Sequence, residues 1–288
     1  MRAPFFPLVA GAARNALQWR LLLLWALLLL LPTLAAALPV WQMLGDSFDY
    51  SPHAAALARA LDLSVVADLR QVFKRYDTAV SNGALVALAL TLLLSPLLSG
   101  MAIAAARAPA PERLGFGGLL GGGMREYGRL LRMLAWSAVP LTVAFALAGL
   151  MAAPLRKLGE NAVLESTAAN AGLAATLVIG LCLLLAHATV DAGRAVLAAD
   201  RRKTSAIRAW GQGVMLVVRQ PVATLGAYVT ITLLGLVLAA LVALVRIRVA
   251  PIEGLSYFAA LGLTQVAVMA VAWMRSARLF ALIALIRQ

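Results

Sequence analysis

Residues 21–45 read LLLLWALLLLLPTLAAALPVWQMLG, a run of 25 residues without a charged side chain. A helix of about 20 apolar residues is long enough to cross the hydrocarbon core of a bilayer. Backbone groups in lipid must find their hydrogen bonds inside the segment, which favours an α-helix. The stretch therefore predicts a membrane-spanning helix.

Five further runs of similar length also lack charged residues: 78–106, 133–155, 166–190, 220–245 and 254–274. The chain has 288 residues, of which 63% are hydrophobic and 13% are charged, and its mean hydropathy is +0.90. A soluble domain is about 45–50% apolar and about 25% charged, so a soluble globule is excluded. Low hydrophobicity, the signature of disorder, is absent. The sequence predicts one all-α membrane domain over residues 1–288, a polytopic bundle of six transmembrane helices.

Basic residues are distributed unequally between the two sides of the predicted spans. The side that holds both termini and the second and fourth loops carries 17 of the 25 Lys and Arg residues and 4 of the 12 acids. Its net charge is +13, whereas the other side is neutral. Because Lys and Arg are enriched on the cytoplasmic side, both termini are predicted to be cytoplasmic. This topology explains the basic balance without nucleic acid and predicts contact with anionic lipid headgroups.

Three segments before odd-numbered spans, 3–20, 124–134 and 204–218, place apolar residues at helical spacing among basic ones. Such helices are predicted to lie in the headgroup plane. The chain then divides into three units, each an elbow helix followed by a transmembrane hairpin. These units are approximately 1–106, 111–195 and 200–288. The first span is expected to be an uncleaved anchor, because its apolar run is too long for a signal peptide.

The first loop on the non-cytoplasmic side, 46–77, is the longest one. An apolar residue recurs there at every fourth position: Leu57, Leu61, Val65, Leu69 and Phe73. This spacing predicts a separate amphipathic helix over about 52–75. It would either cap the bundle as a packed lid or serve as a gate or docking element.

Three ionisable residues near the cytoplasmic end of the fourth span are a candidate binding site. His187, Asp191 and Arg194 share one helical face, because their spacing is i, i+4 and i+7. Ionisable groups inside membranes often mark pathways and proton relays, and imidazole titrates near neutral pH. In the structural alternative, Asp191 pairs with Arg194 and His187 forms a hydrogen bond across helices.

Gln265, in the middle of the sixth span, is a further candidate, either for binding or as an interhelical hydrogen bond worth about 1 kcal/mol. Arginines at the cytoplasmic ends of the spans are candidates for holding headgroup phosphates, because a guanidinium binds phosphate through two parallel bonds. They are Arg125, Arg129, Arg132, Arg194 and Arg208.

No metal or cofactor is expected, since the chain has two histidines and a single cysteine, Cys182. The glycine-rich stretch at 115–123 lacks the Gly-Lys-Ser/Thr ending of a phosphate loop, so it is interpreted as a flexible entry to the second elbow helix. No nucleophile elbow or HExxH motif occurs, which disfavours an enzyme. An intramembrane carboxylate or arginine site is left open.

Two stretches carry a resemblance: GGGMREYGRLLRML at 121–134 and HATVDAGRAVLAADRRKTSAIRAW at 187–210. Together with the layout of spans and loops, they resemble a broad set of uncharacterised bacterial inner-membrane proteins with six helices. The resemblance implies a bacterial inner membrane, with the amphipathic segment at 52–75 in the periplasm, and implies no substrate.

Three functions are compatible with these features. The first is a non-enzymatic subunit, permease-like or assembling with cytoplasmic or membrane partners through its basic loops. The second is a lipid-binding or lipid-modifying protein that uses the interfacial arginines. The third is a proton-coupled carrier that uses His187 and Asp191. The first is the one we expect.

Overall fold

The computed structural model describes residues 5–48, 63–108, 113–249 and 254–288. The regular structure of these residues is helical throughout: α1 (Phe5–Asn15), α2 (Trp19–Phe48), α3 (Leu63–Arg107), α4 (Phe116–Glu160), α5 (Glu165–Ala199), α6 (Ala206–Arg219), α7 (Pro221–Arg248) and α8 (Gly254–Ile286). Six of them, all except α1 and α6, are long and apolar enough to cross a membrane. The prediction of an all-α membrane protein with six spanning helices is confirmed.

Residues Leu24–Ser95 form a compact unit of their own, made from most of α2 and the first part of α3. The two helices approach closely at Gly83, where a Cβ atom would lie 2.9 Å from the carbonyl oxygen of Ala35. Nearer the connection between them, the Tyr76 hydroxyl donates a hydrogen bond of 2.7 Å to Asp46 Oδ2. Among the described residues, the close approach at Gly83 and the hydrogen bond between Tyr76 and Asp46 join the two helices of this unit.

The larger unit contains Met1–Leu23 and Pro96–Gln288. Within it, α4 pairs with α5 and α7 pairs with α8, so each pair is a hairpin. The hairpins meet through α5 and α8, while α6 packs against α5 and α1 packs against α8. Three helix termini meet in this unit: Arg107 at the end of α3 contacts Ala198 at the end of α5 and Glu126 in the first part of α4. We call the region where they meet the basic end of the unit.

The packed core of the larger unit lies at this basic end. In α5, nine of the eleven buried residues fall within 186–198, and they are mainly alanines with one glycine. In α8, the buried side chains likewise concentrate within 272–285. Small residues let helix backbones approach, which matters in lipid because apolar side chains gain little by leaving the acyl chains for one another. The remaining lengths of these spans expose their leucines and valines.

The closest approach in the core joins α5 to the short helix α6. A Cβ atom on Gly213 would lie 2.9 Å from the Ala192 carbonyl carbon, and one on Gly193 would lie 3.0 Å from Trp210 Cα. The Trp210 indole nitrogen also donates a 3.3 Å hydrogen bond to the Thr189 hydroxyl. The face of α6 that packs inward is thus a face of small residues, while Ile207, Met215 and Val218 are exposed.

Two sequence expectations about α4 are wrong. The segment 124–134 is not a separate elbow, because α4 runs without interruption from Phe116 to Glu160. The glycine-rich stretch at its start is helical and not a flexible entry. Two of its glycines, Gly122 and Gly123, pack close to α3: a Cβ atom on Gly100 would lie 2.8 Å from the Gly123 carbonyl oxygen. This backbone contact offsets the cost of about 1 kcal/mol that glycine carries in a helix.

The prediction of a separate helix over 52–75 is wrong for residues 63–75, the part that the structure describes. Residues 63–75 are the first turns of α3, continuous with the second span. No glycine or proline interrupts the chain between Leu63 and Asn82, so nothing ends the helix there. The rest of the predicted helix lies outside the described residues. Separate short helices do precede the first and fifth spans, as α1 and α6.

The contact between α5 and α6 yields a test. In Gly213→Ala the new methyl group meets the α5 backbone, and we expect a loss of about 1–3 kcal/mol of stability from overpacking. Gly211→Ala is the matched control, since it lies on the same helix with open space around its Cβ position and gains helix propensity. Thermal unfolding in detergent, followed by tryptophan fluorescence, compares the two. A Gly213→Ala protein as stable as Gly211→Ala would contradict this packing.

Candidate functional site

A carboxylate buried between two arginines lies at the basic end. Glu126 is only 6% exposed although it follows the first turns of α4. Its Oε1 lies 2.5 Å from the Arg107 guanidinium, at the last residue of α3, and its Oε2 lies 2.6 Å from Arg129 Nη1, one turn along α4. We call these three residues the Glu126 clamp.

The clamp also holds the end of α5. Arg107 Nε donates a 2.8 Å hydrogen bond to the carbonyl of Ala198. Arg129 Nη2 donates to the carbonyls of Leu197, at 2.9 Å, and Asp200, at 2.7 Å. The last carbonyls of a helix have no partner inside it and carry partial negative charge, so guanidinium groups stabilise them. The clamp therefore joins the ends of α3 and α5 to the start of α4.

A second, half-buried carboxylate joins the two hairpins of the larger unit. Asp191 on α5 accepts a 2.8 Å hydrogen bond from Arg194 Nη1 and lies 3.7 Å from Arg278 Nη2 on α8. Arg278 continues the chain of contacts to α7, because its Nη1 donates to the Tyr228 hydroxyl at 3.0 Å and to the Thr232 hydroxyl at 3.3 Å. Its guanidinium carbon also lies 4.5 Å from the centre of the Tyr228 ring, a cation–π distance. We call this group the Asp191 cluster.

The structure separates the residues of the predicted proton site. Asp191 and Arg194 pair, as the structural alternative expects, but His187 is exposed and its Nδ1 lies 3.0 Å from the carbonyl oxygen of Leu183 on its own helix. The cross-helix hydrogen bond expected of His187 is therefore replaced by one within α5. Gln265 on α8 is half-buried, and its Oε1 has no hydrogen-bond partner among the described residues.

The predicted headgroup arginines fall into two groups. Arg125, Arg132 and Arg208 are exposed and form no salt bridge within the described part of the chain. In Arg129 all three guanidinium nitrogens donate to Glu126 or to backbone carbonyls, so its contacts in this structure are intramolecular. Arg194 is likewise bound to Asp191.

Sequence reasoning missed Glu126, Arg107, Arg278 and Tyr228. The available signal was the scarcity of acids on the arginine-rich side, where only four occur. Two of these four, Glu126 and Asp191, each hold two arginines. An acid that stands among many arginines at the end of an apolar run is therefore informative, because its burial there requires paired cations.

Glu126 and Asp191 are both engaged in ion pairs with arginines. No group of three or more potential metal ligands occurs in residues 5–48, 63–108, 113–249 and 254–288. A cavity of about 320 Å³ adjoins the Glu126 clamp, between the end of α3 and the start of α4.

No protein-family model matches the sequence, and comparisons with curated proteins and with solved structures find no match either.

The Glu126 clamp predicts a large effect for a nearly isosteric change. Glu126→Gln keeps the shape but leaves two buried guanidinium groups without their anion, which costs about 3–5 kcal/mol in comparable pairs. Glu160→Gln, at an exposed acid near the other end of α4, is the control and should change stability by less than about 0.5 kcal/mol. The free energy of unfolding of each variant is measured in mixed micelles with an increasing fraction of denaturing detergent. Equal stability of the two variants would show that the clamp does not hold the helix ends.

Proposed function

We propose that the protein is a non-enzymatic, multi-pass subunit of a bacterial inner-membrane complex, in which the basic end receives an anionic partner. The proposal rests on the observation that the arginines of the basic end fall into two groups, which differ in their exposure and in their contacts. The half-buried Arg107 and Arg129 brace the helix ends, whereas the guanidinium groups of the exposed arginines at the basic end form no hydrogen bond with a carboxylate among the described residues; Arg201 lies 3.8 Å from Glu126. The preformed cationic surface consists of Arg125, Arg132, Arg201, Arg202 and Arg208, all exposed, and we call it the basic platform.

The basic platform is proposed to face the cytoplasm, with both termini on the same side. The distribution of Lys and Arg supports this orientation. The packing of the chain ends is consistent with it, since the Trp273 indole on α8 donates a 2.8 Å hydrogen bond to the Ala13 carbonyl on α1. The N-terminal helix and the C-terminal helix therefore meet within the larger unit.

A structural role suits the two carboxylates better than proton transfer does. Glu126 and Asp191 each contact two arginines. These contacts tie each carboxylate to an arginine on a neighbouring helix. A proton carrier needs a group that changes its charge during the cycle, and His187 lies outside both networks. The proposal therefore assigns binding to the platform surface and support to the clusters beneath it.

Contact with anionic lipid is a second proposed role, favoured by the same exposed arginines. Each basic residue near an anionic membrane surface contributes about 1 kcal/mol of attraction. Exposed apolar residues on α6, among them Ile207 and Val218, adjoin the platform and are suited to the acyl boundary. Lipid and protein partners would thus meet the same end of the molecule.

The assembly role is tested by reversing charge on one side only. In Arg125→Glu/Arg208→Glu, a partner bound in native-lipid nanodiscs should fall about tenfold in occupancy, because opposite charges become like charges. Arg156→Glu/Lys157→Glu, at exposed residues on the other side, is the control and should keep the partner. Native mass spectrometry of the intact particles gives the stoichiometry, and a fluorescent reporter on the C-terminus reports orientation in the same cells.

Two results would contradict the proposal. One is a wild-type protein that carries no stoichiometric partner in native lipid. The other is a partner lost equally in both double variants, which would mean that the platform does not select it. An exported C-terminus would overturn the proposed orientation.

A further inference from the structure

The cavity beside the Glu126 clamp has features of an anion site. Its volume is about 320 Å³, near the lower limit of ligand pockets, which span about 300–1,000 Å³. Glycines of α4 form one wall, and the charged side chains of the lining are three arginines and one carboxylate: Arg107, Arg125, Arg201 and Glu126. The space suits a phosphate with a short polar substituent and not a complete lipid.

Two of the lining glycines have no packing role within the described chain. A Cβ atom on Gly117 or Gly121 would meet nothing within 4 Å, whereas one on Gly122 would collide with Ala104 of α3. Glycine costs about 1 kcal/mol relative to alanine inside a helix. At Gly122 and Gly123 the helix contact explains the residue. At Gly117 and Gly121 the missing side chains instead leave a bare helix surface towards the cavity.

The charge available in the cavity is positive. Arg107 is bound to Glu126 and to the end of α5, and Glu126 is already balanced by Arg107 and Arg129. The other two arginines that line the cavity are Arg125 and Arg201. Arg125 is exposed and forms no salt bridge among the described residues, and Arg201 is 73% exposed and lies 3.8 Å from Glu126. Arg125 is therefore free to turn towards a bound anion, and Arg201, whose 3.8 Å contact is with a carboxylate already bonded to Arg107 and Arg129, can turn with it.

The aromatic residues nearby indicate the depth of the cavity in the membrane. Trp19 and Phe116 form an edge-to-face pair with ring centres 5.5 Å apart, and Phe116 directly precedes Gly117. Tryptophan concentrates at the level of the lipid headgroups, and Trp19 is 60% exposed. The first turn of α4 also has no side-chain cap, so its amide groups add partial positive charge.

We infer that this cavity binds the phosphate of an anionic phospholipid headgroup, with Arg125 and Arg201 as its ligands and the bare face at Gly117 and Gly121 as its floor. The inference rests on the proposed lipid-contact role and adds a defined site to it. The general platform attracts the anionic surface, and the cavity holds one headgroup.

The experiment fills the cavity without removing charge. Gly121→Leu places a side chain in the open space and improves helix propensity, so folding is not threatened. Gly149→Leu is the control, because this glycine also lies on α4 with nothing within 4 Å of its Cβ position. Native mass spectrometry counts the phosphatidylglycerol retained from mixed phosphatidylcholine–phosphatidylglycerol nanodiscs. We expect Gly121→Leu and Arg125→Gln/Arg201→Gln to lose about tenfold in retention of one lipid, and Gly149→Leu to match the wild type.

A second arm identifies the source of the phosphate. The protein in nanodiscs of phosphatidylcholine alone is titrated with inorganic phosphate and followed by phosphorus NMR. Retention of phosphatidylglycerol without binding of inorganic phosphate supports the lipid headgroup. Binding of inorganic phosphate that Gly121→Leu abolishes supports the phosphate chemistry but overturns the lipid as its source.

The inference fails if Gly121→Leu retains phosphatidylglycerol as the wild type does. The platform is tested separately by Arg132→Gln/Arg208→Gln, which lie outside the cavity. In this double variant, the total amount of phosphatidylglycerol that is enriched around the protein should fall, while the one phosphatidylglycerol molecule bound in the cavity should be retained. No change in that total would overturn the lipid-contact role itself, so the two failures are distinguishable.

Discussion

Two carboxylates, the buried Glu126 and the half-buried Asp191, each contact arginines on more than one helix of the larger unit. Removing a charged group from water costs several kcal/mol, and only close, well-oriented partners offset that cost. Glu126 has such partners in Arg107 and Arg129, and these guanidinium groups also bind carbonyls at the end of α5. Asp191 supplies the corresponding link between α5 and α8. Because a displaced helix would leave Glu126 or Asp191 with only the arginine of its own helix, the ion pairs favour one arrangement of helix ends.

The membrane explains why the core lies at one end. In lipid, leucines gain little by leaving the acyl chains for each other, so helices associate where backbones come close or where polar groups bond. Both conditions are met at the basic end, through the glycine contact between α5 and α6 and through the two carboxylates. Elsewhere the spans present leucine and valine to their surroundings. The arrangement produces a braced basic platform on helices that are less tightly joined along the rest of their length.

The membrane-spanning helices could be predicted from the sequence, but the contacts of the candidate site could not. Runs such as 21–45 identify a membrane helix by length and hydropathy alone, because the bilayer imposes both. The continuity of α4 was missed because glycine was interpreted by its propensity, while the contact at Gly100 and Gly123 decides its conformation. His187 drew attention through its chemistry and its spacing to Asp191, yet helical spacing fixes only residues on one helix. The partner of Asp191 on α8, Arg278, lies 87 positions away in sequence, and no local pattern connects them.

The coupling between Asp191 and Arg278, measured by a double-mutant cycle, tests the importance of these ion pairs most directly. Unfolding free energies in mixed micelles are compared for Asp191→Asn, Arg278→Gln, the double variant and the wild type. The two changes are predicted to be non-additive, with a coupling energy of about 1–3 kcal/mol, because Asp191→Asn removes the anion beside Arg278 and Arg278→Gln leaves Asp191 with Arg194 as its only close arginine. Additivity within about 0.5 kcal/mol would mean that the two hairpins meet for another reason, and would contradict a central role for the ion pairs.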